Sequence, residues 1–219
     1  MKMNSAPGAG EAGESMVYVL DDDKSIRLSL SSLLRSVGLN VEVFESSQQF
    51  LAFPKREVPS CLVLDVRLRG ESGLAFQEEL TKSGLRMPIV FMTGHGDIAM
   101  TVKAMKAGAL DFFAKPFRDQ DMLDAVTQAL ARDAGRLAAE HSTDALRTSY
   151  ASLTPREQEV MAFVVAGLMN KQIASEMNLS EITVKIHRGQ AMKKMAARSV
   201  ADLVRKAEAI GIAARHRKT

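Results

Sequence analysis

Two short apolar runs in this chain end in carboxylates, and this pattern constrains the fold more than any other feature. Cys61-Leu62-Val63-Leu64 is followed by Asp65, and Val17-Tyr18-Val19-Leu20 is followed by Asp21-Asp22-Asp23. Such runs are typical of buried parallel strands, whose carboxyl ends meet at the sheet edge where ligands bind. Carboxylates gathered there repel one another unless a divalent cation binds or a proton is taken up. The sequence therefore predicts a Mg²⁺ pocket around one reactive aspartate, Asp65.

The composition indicates a folded protein without disulfide bonds. Apolar residues make up 46% of the 219 residues, which is enough for one large or two ordinary domain cores. The one cysteine, Cys61, lies within an apolar strand, so a disulfide framework is excluded. No apolar stretch approaches the roughly 20 residues of a membrane span. Residues 1–15 are Gly/Ala/Ser-rich without an apolar core, so we expect a disordered leader, no signal peptide and a cytoplasmic protein.

The charge is distributed unevenly between the two ends of the chain. Residues 151–219 carry 12 Lys and Arg against 6 Asp and Glu, whereas the preceding residues carry 17 against 20. An acidic front half joined to a basic back half favours a regulatory domain attached to a nucleic-acid-binding domain.

Strand-like and helix-like patterns alternate over the first 118 residues. The candidate strands are 17–20, 41–44, 61–64, 89–93 and 111–114, and the candidate helices are 25–37, 47–53, 74–83 and 98–107. Glycines follow three of these helices as stop signals. This alternation predicts an α/β domain over residues 16–130, with a doubly wound five-stranded parallel sheet. A fifth helix begins near residue 118, and residues 131–149 form a helical or frayed linker.

A different pattern begins at Leu153. Thr154-Pro155-Arg156-Glu157 is a capping box with proline at the first helical position, which marks a helix start. Helices are then predicted over 155–166, 171–177, 181–195 and 200–210, and Ser180 is placed to cap the third of them. Four short helices, two of them separated by a few residues, predict an all-α helix-turn-helix domain over residues 150–212. Residues 213–219 form a basic tail.

The acidic strand ends resemble the receiver domain of bacterial response regulators. The resemblance rests on Asp21-Asp22, Asp65, Thr93 and Lys115-Pro116-Phe117, each of which follows a predicted strand. It implies a flavodoxin-like sheet with strand order 2-1-3-4-5. It also implies that Asp65 is the phospho-acceptor. In this family a carboxylate attacks a phosphoryl group whose charge is neutralised by its surroundings.

The resemblance assigns the metal ligands and the groups around the phosphoryl. Asp22 binds Mg²⁺ directly, Asp21 does so directly or through water, and Asp65 and the backbone carbonyl of Arg67 complete the site. Two further residues contact the phosphoryl oxygens: Lys115 by charge and Thr93 by its hydroxyl.

Three neighbouring residues have other expected properties. The Lys115–Pro116 bond is cis in the family. Asp23 is expected to cap the following helix. The chain departs from the family at Arg69, where proline is usual.

The second predicted domain resembles the LuxR-type helix-turn-helix domain. The resemblance is carried by three runs: 153–157, Gly167-Leu168-Met169-Asn170-Lys171-Gln172-Ile173-Ala174, and 179–195. It implies base contacts near Lys185, Ile186 and Gly189, and phosphate contacts from Asn170 and Lys171.

Helical spacing predicts how the recognition helix is oriented. We expect Ile182, Ile186 and Met195 on its inward face, with Val184 partly buried. The polar side chains expected to reach DNA, besides the cap Ser180, are Thr183, Lys185, Arg188 and Lys193.

Together the two domains resemble a FixJ-like two-component response regulator, which is not an enzyme in the usual sense. This implies phosphorylation by a sensor histidine kinase, homodimerisation on phosphorylation, and binding to promoter DNA and RNA polymerase. The family's dimer and switch positions correspond here to Val102, Met105, Lys106 and Phe112.

Two alternatives stay open. The first is an aspartate phosphatase, although the general-acid position of such an enzyme is occupied by Arg67. The second is a degenerate receiver that acts through protein contacts without phosphorylation.

Overall fold

The computed structural model describes residues 15–94 and 98–212, which divide into two compact units after Leu137. The predicted leader, apart from Ser15, and the predicted basic tail lie outside these residues. Among the described residues, no helix has both the length and the apolar character needed to cross a membrane.

The first unit is built on a parallel sheet, as the alternating pattern predicts. The strands of this sheet, within the described residues, are β1 (Met16–Leu20), β2 (Asn40–Phe44), β3 (Ser60–Asp65), β6 (Ile89–Thr93) and β7 (Asp111–Ala114). The labels β4 and β5 belong to a separate short hairpin described below. The spatial order is β2-β1-β3-β6-β7, and every neighbouring pair is parallel. The predicted α/β fold and its 2-1-3-4-5 order are confirmed. All five strands therefore point their carboxyl ends toward one edge.

The helices of this unit are α1 (Lys24–Ser36), α2 (Ser47–Ala52), α3 (Gly73–Lys82), α4 (Ile98–Lys106) and the first part of α5 (Asp119–Ala151), which continues past Leu137. The bounds of the first four lie within one residue of the prediction. Asp23 caps α1 as expected, because its Oδ1 accepts a hydrogen bond of 2.7 Å from the Ser25 amide. The segment predicted as a helical or frayed linker is the continuous C-terminal part of α5.

Alternating side chains of the strands supply two cores, one on each face of the sheet. On one face Tyr18, Leu62 and Phe91 pack with side chains of α2, α3 and α4. On the other face Val19 and Cys61 pack with side chains of α1 and α5. Burial raises the pKa of the Cys61 thiol to about 12, so this cysteine acts as a small core residue. Because helices cover both faces of the sheet, a ligand can reach it at the ends of the strands.

A short hairpin that the sequence pattern did not reveal follows β3. Its strands are β4 (Arg67–Leu68) and β5 (Glu71–Ser72), and they pair antiparallel. Gly70, in the turn, has φ +79°, a left-handed conformation that favours glycine. Gly73 then lies against β3 so closely that a Cβ there would be 2.3 Å from the Asp65 carbonyl oxygen. This close approach of the backbone at position 73 to Asp65 therefore requires glycine.

Helix α5 is tied to the start of β3 by a buried carboxylate. Asp133 is 1% exposed, its Oδ2 accepts a 2.9 Å hydrogen bond from the Ser60 amide, and its Oδ1 accepts one of 2.7 Å from Arg136 Nε. The first amide of a central strand therefore has its acceptor on α5.

The second unit is all-α, as predicted. Its helices after α5 are α6 (Pro155–Val165), α7 (Asn170–Met177), α8 (Glu181–Lys194) and α9 (Val200–Ala209). The predicted capping box at Thr154 and Glu157 is present, and Ser180 caps α8 by accepting a 3.1 Å hydrogen bond from the Thr183 amide. Asn178, between α7 and α8, has φ 52° and makes the turn of a helix-turn-helix.

We predict that Asp133→Ala destabilises the protein by about 1–3 kcal/mol, because the buried Ser60 amide loses its acceptor. Thermal unfolding followed by circular dichroism should show a Tm lower by several degrees. Asp144→Ala is the matched control, since it removes an exposed pair with Arg147 from the same helix. Equal Tm values for the two variants would contradict the role assigned to Asp133.

Candidate functional site

Three carboxylates meet at the carboxyl edge of the sheet. Asp65 ends β3, and Asp21 and Asp22 directly follow β1, its neighbour in the sheet. One oxygen of each carboxylate lies within 4.8 Å of the others. Asp21 and Asp65 are buried and Asp22 is half-buried. The structure thus brings together the acidic residues that the sequence singles out.

Lys115 reaches into this cluster from the end of β7. Its Nζ lies 2.6 Å from Asp21 Oδ2 and 3.0 Å from Asp65 Oδ2, so one ammonium group bridges two carboxylates. The Lys115–Pro116 bond is cis, as expected, and the Lys115 amide donates a 2.7 Å hydrogen bond to the Thr93 carbonyl. The backbone of β6 therefore helps to hold the lysine at the site.

The pKa shifts of Asp21 and Lys115 reflect the competition between burial and hydrogen bonding in the cluster. Burial raises the pKa of the Asp21 carboxyl, against the opposing effect of its hydrogen bonds with Lys115 and the Asp23 amide. Burial alone would lower the pKa of Lys115, but its hydrogen bonds with Asp21 and Asp65 outweigh this effect and raise it. Both shifts favour retention of a proton in the pocket.

The remaining predicted pocket residues lie beside Asp65. Thr93 is fully buried at the end of β6, the strand that pairs with β3. The Arg67 amide donates a 3.1 Å hydrogen bond to Asp65 Oδ1, which fixes the orientation of the carboxylate.

The hairpin after Asp65 is attached to two other segments. Arg69, which stands where the family usually has proline, forms an ion pair of 3.2 Å from its Nε to Asp22 Oδ2. Glu71 accepts a hydrogen bond from the hydroxyl of Ser47, at the start of α2. These contacts, together with the close approach of Gly73, restrain the loop without a proline.

The donor set fits a hard divalent cation. Mg²⁺ takes oxygen ligands and is held by one or two carboxylates together with waters and phosphate oxygens. Asp21, Asp22 and Asp65 offer three closely spaced carboxylates, and the backbone of Arg67 lies next to Asp65, to which its amide donates a hydrogen bond.

The predicted dimer and switch residues lie on α4 and β7. Val102 and Met105 are 44% and 43% exposed, and Lys106 is also exposed. Phe112 is half-buried and its ring packs against Phe91, with the ring centroids 6.3 Å apart. Helix α4 thus presents apolar side chains to solvent.

The recognition helix α8 is rotated relative to the prediction. Val184, predicted to be partly buried, is fully buried together with Ala191, and Met195, which follows the helix, is buried as predicted. Ile182 and Ile186 were predicted to face inward, which is wrong: they are 74% and 58% exposed. The three apolar residues at 182–186 alternate with polar ones and fit two helical phases, and the buried Val184 and Ala191 lie on the same face of the helix.

Polar residues at the predicted DNA-binding positions divide into two groups. Lys171, Lys185 and Lys193 are exposed. Arg188 was predicted to reach outward, but it is half-buried and its Nη1 donates a 2.8 Å hydrogen bond to Asn170 Oδ1.

The N-terminal turn of α8 carries the other two predicted polar residues. Thr183 is half-buried, and its hydroxyl lies 2.8 Å from that of the cap residue Ser180. Ile182 is an exposed apolar residue in this turn that the sequence pattern did not single out as a site candidate. Counting about 100° per residue from Val184 and Ala191 would have found it.

Comparison with known proteins agrees with both halves of this description. The response regulator receiver domain family matches residues 17–127, and the LuxR family of bacterial regulatory proteins matches residues 151–207. Nodulation protein W of Bradyrhizobium diazoefficiens is 55% identical over 203 residues, which cover 93% of this chain and 89% of that protein. Transcriptional regulatory protein FixJ of Azorhizobium caulinodans is 41% identical over 197 residues, which cover 90% and 93%.

A solved structure agrees as well. The response regulator StyR matches with a TM-score of 0.80 at 49% identity, over 89% of this chain and 98% of that chain. The chain belongs to the FixJ-like response regulators.

Membership of this family decides the functional class. FixJ-like response regulators join a receiver domain to a LuxR-type DNA-binding domain and regulate transcription. This response regulator is therefore not an enzyme in the usual sense, and its family membership favours transcriptional regulation over the aspartate phosphatase alternative. Receiver domains generally bind Mg²⁺ through acidic residues, a role for which the cluster of Asp21, Asp22 and Asp65 is available.

We predict that Lys115→Met tightens Mg²⁺ binding about tenfold, which corresponds to about 1.4 kcal/mol, because a competing cation leaves the acidic cluster. Isothermal titration calorimetry of the full-length protein at constant ionic strength measures the affinity. The control is Lys82→Met, which removes an exposed lysine from the end of α3. Weaker Mg²⁺ binding in Lys115→Met than in the control would refute the placement of the ammonium group.

Proposed function

We propose that this protein is a phosphorylation-dependent transcriptional regulator of a two-component system. Asp65 accepts a phosphoryl group from a sensor histidine kinase, and the phosphorylated protein binds promoter DNA as a homodimer. The observation that carries the proposal is the contact of Lys115 Nζ with both Asp21 and Asp65 in a receiver fold. This arrangement brings the proposed nucleophile Asp65, the carboxylates that could bind a metal ion and the positive charge of Lys115 together at one edge of the sheet.

The pocket residues divide the transfer step among them. A carboxylate oxygen of Asp65 forms the new bond to phosphorus as the phosphorus–nitrogen bond to the kinase histidine breaks. The Arg67 amide orients the carboxylate, and Asp21 and Asp22 would hold Mg²⁺ together with Asp65 and the Arg67 carbonyl. When bound there, Mg²⁺ would supply positive charge next to the phosphoryl oxygens. Lys115 exchanges its carboxylate contacts for the new phosphoryl group.

Signal output follows from the residues next to the acceptor. The Thr93 hydroxyl hydrogen-bonds to the phosphoryl group, and this contact biases a two-state equilibrium of β6, β7 and α4. Phe112 moves with that equilibrium, and the exposed Val102, Met105 and Lys106 form the homodimer contact. The apolar exposure of α4 supports this assignment.

DNA recognition belongs to the second unit. Helix α8 enters the major groove, where Lys185 and Ile186 face the bases, while Lys171 and Lys193 contact phosphates. Asn170 and Arg188 act there as a hydrogen-bonded pair, and the Ser180 and Thr183 hydroxyls, which hydrogen-bond to each other, lie at the start of α8.

Further partners and the domain limits are part of the same proposal. The regulator works in the cytoplasm and contacts RNA polymerase at its promoter. Its receiver extends over residues 16–130, its helical linker over 131–149 and its DNA-binding domain over 150–212.

We predict that Asp65→Asn abolishes phosphorylation without loss of the fold, because the nucleophile is removed at constant volume. The full-length protein is incubated with acetyl phosphate and Mg²⁺, and Phos-tag electrophoresis and intact mass report the phosphoryl group. Asp124→Asn, an exposed carboxylate on α5, is the control. An Asp65→Asn protein that still gains one phosphoryl group would move the acceptor elsewhere. An unmodified wild type would favour the degenerate receiver.

We predict that Lys185→Ala and Lys171→Ala weaken DNA binding in different ways. Lys185→Ala should cost about 1–3 kcal/mol on the cognate duplex and relax preference at one position, because a base contact is lost. Lys171→Ala should weaken binding to cognate and scrambled duplexes equally and reduce the salt slope by about 1. Binding isotherms on both duplexes at two salt concentrations distinguish the roles. Equal losses on both duplexes for Lys185→Ala would make it a phosphate contact only.

A further inference from the structure

The recognition helix exposes two large apolar side chains that the fold does not use. Ile182 is 74% exposed and Ile186 is 58% exposed. Single exposed apolar residues are ordinary on protein surfaces, so exposure by itself assigns no role. Their position on the helix is what distinguishes these two.

Ile182 lies directly opposite the buried face of α8. Successive residues of an α-helix are rotated by about 100°, which places Ile182 about 180° from Ala191. Ile186 and Gly189 lie within roughly 40° of the same line, as does Lys193. Gly189 adds nothing to this face, and a Cβ there would have no neighbour within 4 Å. The face of α8 that points away from the core therefore carries Ile182 and Ile186 near its start, followed by Gly189, which has no side chain.

The charged residues near Ile182 and Ile186 indicate which kind of partner binds this face of α8. Lys185 and Lys193 are both exposed on the same side of the helix, and residues 151–219 carry twice as many cationic as anionic side chains. A second copy of this face would be repelled by like charge, whereas a nucleic acid is attracted to it. An apolar strip flanked by lysines fits the floor of a DNA major groove, which is apolar where thymine carries its C5-methyl group.

We propose that Ile182, together with Ile186, reads thymine methyl groups in the regulator's DNA site, and that Ile182 is a specificity-determining residue. The inference deepens the proposed DNA-binding function and rests on it. Four residues of helix rise about 6 Å, which is close to the separation of two base-pair steps. The two side chains can therefore contact thymines about two base pairs apart.

The proposal is tested by removing the methyl group from the DNA and the side chain from the protein. A site is first selected from random duplexes with the full-length protein, treated with acetyl phosphate and Mg²⁺. Each thymine of that site is then replaced by deoxyuridine, which differs only in lacking the C5-methyl group. Affinities are measured for wild type, Ile182→Ala and Ile182→Val, with Val200→Ala as an exposed apolar control on α9.

We expect one or two thymine-to-deoxyuridine replacements to weaken wild-type binding about fourfold each, the equivalent of about one buried methylene. At one of these positions the replacement should have no effect on Ile182→Ala, because the partner side chain is already absent. Ile182→Val should retain part of the methyl effect, and Val200→Ala should retain all of it.

Three outcomes would overturn the proposal in distinguishable ways. Equal deoxyuridine effects in wild type and Ile182→Ala at every position would remove Ile182 from base reading while DNA binding stands. Failure to select any sequence would overturn the proposed DNA-binding function as well. Loss of dimerisation by Ile182→Ala in sedimentation without DNA would reassign the strip to a protein interface.

Discussion

The bridge that Lys115 forms between Asp21 and Asp65 is the interaction on which the receiver pocket depends. Two carboxylates about 4 Å apart repel by about 4 kcal/mol at an effective dielectric of 20, and this pocket holds three carboxylates within 4.8 Å. One ammonium group in contact with two of them offsets much of that repulsion. A divalent cation bound to the carboxylates would reduce their repulsion, whereas a phosphoryl group would add negative charge to the pocket. Under the proposed function, Lys115 lies where both changes would affect it.

Much of this pocket could be predicted because each residue follows a strand. Parallel strands deliver their carboxyl ends to one edge, so Asp21, Asp65, Thr93 and Lys115 had to lie near one another once the strands were recognised. The contacts of the hairpin could not be predicted in this way. Arg69 reaches Asp22 from 47 residues away, and no local pattern encodes a contact of that sequence separation.

The helices also show that local sequence patterns predict local contacts but not long-range ones. Helix starts were predictable at Asp23, Thr154 and Ser180 because a cap is a local hydrogen bond between residues two or three apart. The rotation of α8 is set by a core shared with other helices, and its first apolar residues were assigned to the wrong face. A capping residue indicates where a helix begins. The rotation of the helix about its axis depends instead on the residues that pack against its buried face.

The exposed isoleucines of α8 depart from the pattern that most apolar side chains of the described residues follow. Most apolar side chains of the strands and helices fill three cores, although α4 also exposes Ile98, Val102 and Met105. Ile182 at the outermost point of α8 breaks this pattern, since burying an isoleucine is favourable by about 1.5–3 kcal/mol and α8 forgoes most of that gain. Local violations of an otherwise consistent pattern are expected where a surface serves a function. On a helix flanked by lysines, the partner that recovers this apolar burial is one that brings negative charge and methyl groups together, as thymine-containing DNA does.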